Sequence, residues 1–362
     1  MKIFSLLLLP FSLLVTFSAT AEVVFKDSRI IDPRMAKVLS AHEYFCSGTA
    51  AIEKKNWKKA VKEFNAITKF HPNSDYMPNA YYFAGLSLFH LKEYELANNA
   101  LDNYVNAKSD LNYFEETIKY KFSIAEFFRA GSKRRPFGTS EFFKFLPGYQ
   151  ISLKIYDEVI AAVPNHDLAA QSLFCKACLL WKLKEFKEST ESFQILTRRF
   201  PKHELAPQAY LNIAKVYVDQ SRSEFQNPDL IALAEVNVKR FRSEFPRDDR
   251  IVDAENEITK LKEVYAQGLY NTARFYQRVY KNKSSIIYYE NAIRQYPDTE
   301  IAMLCKKRLK EFAPEILDRL EKSIAEERII KEVGQLAPSD LGNWSDFNLE
   351  EFALPEGEID FL

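Results

Sequence analysis

The side chains best suited to chemistry are four cysteines and five histidines. Two of the cysteines stand as Cys175-Lys176-Ala177-Cys178, the spacing of a dithiol redox pair. Such a pair is reactive where it opens a helix within a βαβ unit, because the helix dipole and nearby cations stabilise a thiolate. Here both thiols fall inside an uninterrupted helical pattern. Residues i and i+3 share a helix face, so the competing reading is two small side chains buried side by side. A closed zinc site needs four ligands, and only two are visible. Cys46 and Cys305 are far from this pair, and four cysteines are too few for a disulfide scaffold in 362 residues. His42, His71, His90, His166 and His203 form no His-Glu-x-x-His motif, and neither a phosphate-binding loop nor a dinucleotide fingerprint is present. The expectation is a non-enzymatic protein with no cofactor and no metal. A thiol-active enzyme using Cys175 and Cys178 is the rival from another class.

What would position any functional group is a repeated helix pair. Gly48, Ala60, Phe64 and Pro72 follow one another at intervals of 12, 4 and 8 residues. The small residue lets two helices approach, Ala60 and Phe64 share one face, and Pro72 stops the second helix. Gly85, Ala97 and Leu101 repeat the 12 and 4, with Ser109 in place of the proline. Ala177, Ser189, Phe193 and Pro201 repeat all three intervals, as do Ala273, Ser285, Tyr289 and Pro297. Ala234, Val238 and Pro246 close another pair, and Ser152, Tyr156 and Pro164 close a stretched one whose first helix is expected over about Tyr113–Ala130. These are the hallmark positions of the tetratricopeptide repeat, a helix-turn-helix of roughly 34 residues. The fold class is therefore all-α, a tetratricopeptide-repeat solenoid of about six to seven helix pairs. The second helices often end in an aromatic residue before proline, as in Phe200-Pro201, Phe245-Pro246 and Tyr296-Pro297. Asn227 is expected to cap the helix that follows Pro228. A long helix is expected from Arg250, and 299–333 reads as a closing pair broken near Ala313-Pro314.

Other segments differ in character. Residues 1–21 read as a signal peptide: Lys2, an apolar run from Ile3 to Phe17, then Ala19-Thr20-Ala21. Residues 22–39 are a lead-in segment. Residues 40–164 hold the amino-terminal repeats, with an inserted loop at 131–147 carrying Lys133, Arg134, Arg135, Phe142, Phe143 and Phe145. This loop either offers basic residues to an acidic partner or lipid head groups and phenylalanines to a pocket, or folds its aromatics back while its charges are solvated. Residues 165–333 hold the later repeats and capping helices. Residues 334–362 form an acidic aromatic tail, expected to be disordered, with seven acids, no Lys or Arg, and Trp344, Phe347, Phe352 and Phe361. Lys+Arg and Asp+Glu both total 50, which argues against a nucleic-acid partner.

The working face of such an array is its groove, lined mainly by first helices. Counting from the hallmark positions, the first repeat offers His42, Phe45, Thr49 and Ile52, and the second offers Asn79, Tyr82, Leu86 and Phe89. These are largely apolar and aromatic, which suits an extended or helical protein segment with hydrophobic anchors rather than a small-molecule substrate. The rival is that some of them pack between repeats or lie under the lead-in.

The run from Asn56-Trp57-Lys58-Lys59-Ala60 through Phe70-His71-Pro72-Asn73-Ser74 resembles the first repeat of the BamD family, the TPR component of the Gram-negative outer-membrane β-barrel assembly machine. Asn227-Pro228-Asp229, Phe241-Arg242-Ser243-Glu244-Phe245-Pro246, Leu261 to Tyr276, Ile286 to Asn291 and Tyr296-Pro297-Asp298-Thr299 resemble its last repeats. The resemblance implies a periplasmic scaffold, exported across the inner membrane. It would bind unfolded outer-membrane protein precursors in the amino-terminal groove and the barrel-assembly core protein through the later repeats. The alternative is a periplasmic adaptor for cell-envelope or peptidoglycan machinery. Family members carry a lipid-anchoring cysteine after the signal peptide. None occurs before Cys46, so the expected localisation is periplasmic, peripheral at most on the inner face of the outer membrane.

Overall fold

A computed structural model describes residues 24–26, 29–31, 39–107, 112–135, 143–224 and 227–333. The expected signal peptide, most of the lead-in, Ser109, Phe142 and the acidic tail lie outside the described residues.

Among the described residues the chain is an all-α tetratricopeptide-repeat solenoid. Its helices are α1 (Ala41–Glu53), α2 (Trp57–Phe70), α3 (Met77–His90), α4 (Tyr94–Val105), α5 (Phe114–Arg129), α6 (Tyr149–Ala162), α7 (Asp167–Lys182), α8 (Phe186–Arg199), α9 (Ala206–Ser223), α10 (Asp229–Glu244), α11 (Arg250–Arg278), α12 (Asn282–Gln295), α13 (Glu300–Phe312) and α14 (Pro314–Val333). Within the lead-in, β1 (Val24–Lys26) and β2 (Arg29–Ile31) pair antiparallel, with Val24 opposite Ile31. Short strands β3 (Lys133–Arg134) and β4 (Leu146–Pro147) flank the insertion. By packing, the chain divides into two compact units. The first holds residues up to Ile124 together with Lys133–Leu146, and the second holds Ala125–Ser132 and everything from Pro147.

The pairing rule is visible at atomic distance in the first unit. A Cβ placed on Gly48 would lie 2.7 Å from the Phe64 ring, and one on Gly85 would lie 2.7 Å from a Leu101 methyl. The glycines are therefore what lets α1 meet α2 and α3 meet α4. Ala51, Ala60, Phe64, Ile67, Ala80 and Ala84 form the core beneath them.

Both ends of the helices follow a repeated backbone rule. Lys55, Lys92, Lys184 and Tyr280 have φ between 53° and 65°. Each sits just before a residue whose N–H reaches back five positions: Asn56 to Ala51, Glu93 to Leu88, Glu185 to Leu180 and Lys281 to Tyr276, at 2.8–3.0 Å. This left-handed C-terminal closure satisfies the orphan carbonyls of the first helix and turns the chain into the second. At the far end Phe200, Phe245 and Tyr296 all adopt φ near −130° and ψ near 60°. A following proline excludes these residues from the helical region.

In the second unit α11 serves two repeats at once. Its 29 residues span about 43 Å at 1.5 Å per residue. Ile251, Ala254, Ile258 and Leu261 pack toward α9 and α10, whereas Leu269, Tyr270 and Ala273 join the cluster around Tyr289, Cys305 and Leu309. The expected Asn227 cap is not formed. Pro228 already has helical angles (φ −66°, ψ −16°) and takes the cap position, while the Asn227 carbonyl accepts from Leu230 N–H and from the Tyr265 hydroxyl.

Where a serine replaces alanine at the second-helix packing position, its hydroxyl needs a partner. Ser152 donates to the Ala125 carbonyl at 2.8 Å and Ser189 to the Ala177 carbonyl at 2.9 Å. Ser285, at the same position in α12, is fully buried and its hydroxyl has no partner. Ser189→Ala is expected to lower stability by about 1 kcal/mol, and Ser285→Ala to leave it unchanged or raise it by up to ~1 kcal/mol. Urea unfolding of the two variants checks the opposite signs.

Candidate functional site

The first helices of the first unit carry the sequence-predicted face. Ser40 and Glu43 cap α1 reciprocally, which fixes where that face begins. Phe45 is half-buried and touches three rings, with centroids 5.8 Å from Phe64, 5.0 Å from Tyr76 and 5.8 Å from Phe83. His42 is exposed, with its Nδ1 3.0 Å from the Tyr76 hydroxyl and its Nε2 3.6 Å from Cys46 Sγ. The Thr49 hydroxyl is turned back to donate to its own helix, at 3.2 Å from the Phe45 carbonyl and 3.0 Å from that of Cys46. Ile52 packs against the core of the first pair. On α3, Asn79, Leu86 and Phe89 are half-buried. Phe89 lies 5.1 Å from the Tyr120 ring and 5.8 Å from that of Tyr94.

Of the expected groove residues, Tyr82 is the buried one and follows the reading in which some of them pack between repeats. It is 5% exposed and stacks on Tyr113 at 4.3 Å with rings 4° apart. Burial is the main cause of the rise of its hydroxyl above the usual tyrosine range, with Tyr120 and Glu116 adding to it. Tyr82 supports α3 against the start of α5. The two rings that complete the face, Tyr76 and Phe83, have no hallmark position of their own and are found only by packing.

The described ends of the insertion combine parts of both expectations. Arg134, Arg135 and Lys144 are paired, Lys133 is exposed, and Phe143 and Phe145 are open. Arg135 forms a two-pronged ion pair with Glu93, and Lys144 reaches the same carboxylate at 3.1 Å and the Lys92 carbonyl at 2.7 Å. Arg134 lies 4.0 Å from Glu95. The Arg135 hydrogen bond is the main reason the Glu93 carboxyl is held below the usual range, and Lys144 adds to it against the effect of burial. Phe143 is 91% exposed and Phe145 is 58% exposed. No local signal marked Glu93 as the hub, since its partners lie 42 and 51 residues away.

In the second unit the Cys175 and Cys178 pair sits half-buried in the middle of α7. Burial pushes the Cys175 thiol up to about 12, with Glu126 adding to the rise, and pushes Cys178 up to about 11 despite the nearby Arg129. Thiols raised in this way hold little thiolate, the nucleophilic form, near neutrality. No group of three or more His, Cys, Asp or Glu side chains able to hold a metal occurs among the described residues.

The second unit also has two recesses of unlike chemistry. One, of about 320 Å³, is lined by Pro228, Tyr265, Leu269, Tyr288 and Tyr296. The other, of about 580 Å³, is lined by Trp181, Lys182, Lys184, Phe186, Asp219 and Arg222. Trp181 donates to Asp219 at 2.9 Å and Lys182 sits 4.8 Å over the Tyr149 ring. The first suits an apolar anchor and the second an acidic side chain, a combination fitted to peptides. No helix among the described residues is long and apolar enough to cross a membrane.

A family model described as outer membrane lipoprotein (YfiO) matches residues 38–116. No curated protein sequence matches the chain. Solved structures similar to it include a TPR repeats protein from Bacteroides fragilis, at 12% identity over 75% of this chain and 98% of that one, with a TM-score of 0.37. MamA from Desulfovibrio magneticus, from its residue 41 onward, matches at 14% identity over 60% of this chain and 95% of that one, with a TM-score of 0.31. YrrB, a TPR protein with an unusual peptide-binding site, matches at 12% identity over 60% and 92%, with a TM-score of 0.32.

The thiol geometry has a direct check. All four cysteines are free, and only Cys46 is exposed. In the folded protein at about pH 8, a thiol reagent is expected to modify Cys46 promptly, and Cys175, Cys178 and Cys305 only after unfolding. Mass spectrometry of the modified peptides reads this directly. Modification of Cys175 as fast as Cys46 would contradict it.

Proposed function

We propose that this repeat protein is a non-enzymatic periplasmic scaffold of the outer-membrane β-barrel assembly machinery. Its first unit holds unfolded outer-membrane protein precursors, and its second unit meets the barrel-assembly core protein. The observation that carries this reading is the overlap of two things. The stretch matched by the outer membrane lipoprotein model, residues 38–116, is also the stretch whose first helices present Phe45, Ile52, Leu86 and Phe89 at partial exposure. Unfolded barrel strands alternate apolar and polar side chains, so spaced apolar anchors on two adjacent helices suit them without demanding one sequence. The tyrosine-lined and basic recesses suit a second, more specific protein contact on the other unit. In this reading any membrane association is peripheral.

Depletion of the protein in its own cells is the test. Folded outer-membrane barrels are expected to fall several-fold relative to soluble periplasmic proteins, with unfolded precursors accumulating. Normal levels of folded barrels after full depletion would overturn the reading. Capture of cell-wall enzymes in place of the barrel-assembly core protein would favour the adaptor alternative.

A further inference from the structure

We infer that one edge of the first unit docks on an anionic lipid surface. That edge is built from the inter-helix turns of the first two repeats and the anchored ends of the insertion.

Four lysines surround the first turn, in the order Lys54, Lys55, Asn56, Trp57, Lys58, Lys59, and all four are exposed. None has an ion-pair partner among the described residues. Lys58 and Lys59 do nothing for the helix they open. The first turn of α2 contains no acid, and cations there oppose the helix dipole. Trp57 stacks on His90 at 4.1 Å with rings 13° apart, which joins this turn to the end of α3 and so to the next turn at Lys92. The Lys144 ammonium, donating to the Lys92 carbonyl, brings the insertion to the same edge, with Phe143 and Phe145 on either side of it.

The electrostatics of the edge are one-sided. Two of its carboxylates, Glu93 and Glu95, are already occupied by Arg134, Arg135 and Lys144, and the exposed Glu53 leaves the four turn lysines in excess by three charges. What remains open to solvent is the turn lysines and two phenyl rings that the ion pairs hold outward. Protruding aromatics beside flexible ammonium groups match a bilayer interface. The rings enter at head-group depth, the lysines find phosphates, and Trp57 sits at the boundary. An apolar protein pocket would leave the lysines unused, and a nucleic-acid surface would leave the phenylalanines in water. The apolar and basic recesses of the second unit have no part in this edge.

The test is flotation of the chain from Glu22 onward, which holds every described residue, with lipid vesicles. Neutral phosphatidylcholine vesicles are compared with vesicles containing roughly a third phosphatidylglycerol. Binding to the anionic vesicles is expected to be at least about tenfold stronger, and most of it should disappear when salt rises from about 0.05 M to about 0.3 M. Changing Lys58→Gln with Lys59→Gln should lower it roughly fivefold per lysine and flatten the salt dependence. Phe143→Ser with Phe145→Ser should lower it while leaving the salt dependence intact. All four side chains are exposed, and far-UV circular dichroism checks that the variants fold. Equal binding to both vesicle types, absence of binding, or wild-type binding by both double variants would overturn the inference. No barrel protein enters this assay, so its outcome is independent of the assembly role.

Discussion

The structure depends on one contact repeated along the chain: a small residue on a first helix receiving a large apolar side chain from its partner. Gly48 and Phe64 show it at its tightest, where a single added carbon would stand 2.7 Å from the ring. Gly85 and Leu101 repeat it, and Phe193 and Tyr289 are likewise fully buried in their pairs. No helix pair buries enough apolar surface to stand by itself, so each relies on the next. The long helix α11 makes this dependence literal, since one element completes a repeat with its first half and begins another with its second.

That contact also separates folding from recognition. Residues at the small and large positions are committed to packing and are free of functional demands. The positions between them on the first helices hold Phe45, Ile52, Leu86 and Phe89, each packed on one side and partly exposed on the other. Tyr82 shows the limit of this division. It occupies one of the free positions, but the neighbouring Tyr113 captures it as a stacking partner. At the other edge of the same unit, Glu93 draws the basic residues of the insertion inward and leaves its phenylalanines outside.

Periodicity makes the helices legible from sequence. The intervals of 12, 4 and 8 residues are fixed by helix geometry, so they locate each pair, and Arg250 and the break at Ala313-Pro314 fall where proline and helical phase put them. What sequence conceals is long-range. The partners of Arg135 and Lys144 lie in another repeat, and nothing local distinguishes Glu93 from other surface acids. The tyrosine-lined recess joins Tyr265, Tyr288 and Tyr296, which share no motif. Asn227 departs from its expected capping role: Pro228 takes the cap position, and the Asn227 carbonyl serves both the local Leu230 N–H and the distant Tyr265 hydroxyl. The Cys175 and Cys178 spacing is ambiguous by itself, and the half-burial of both thiols, which disfavours the thiolate, is not written in it.

The central claim is that the outward positions of α1 and α3 receive unfolded barrel precursors. It is tested most directly by photo-cross-linking in cells, with the probe at Ile52 or Leu86 on the first helices and at Asn65 on the exposed side of α2 as the comparison. The account predicts adducts with outer-membrane barrel precursors at Ile52 and Leu86, and none above background at Asn65. Equal yields at all three positions, or adducts only at Asn65, would contradict it.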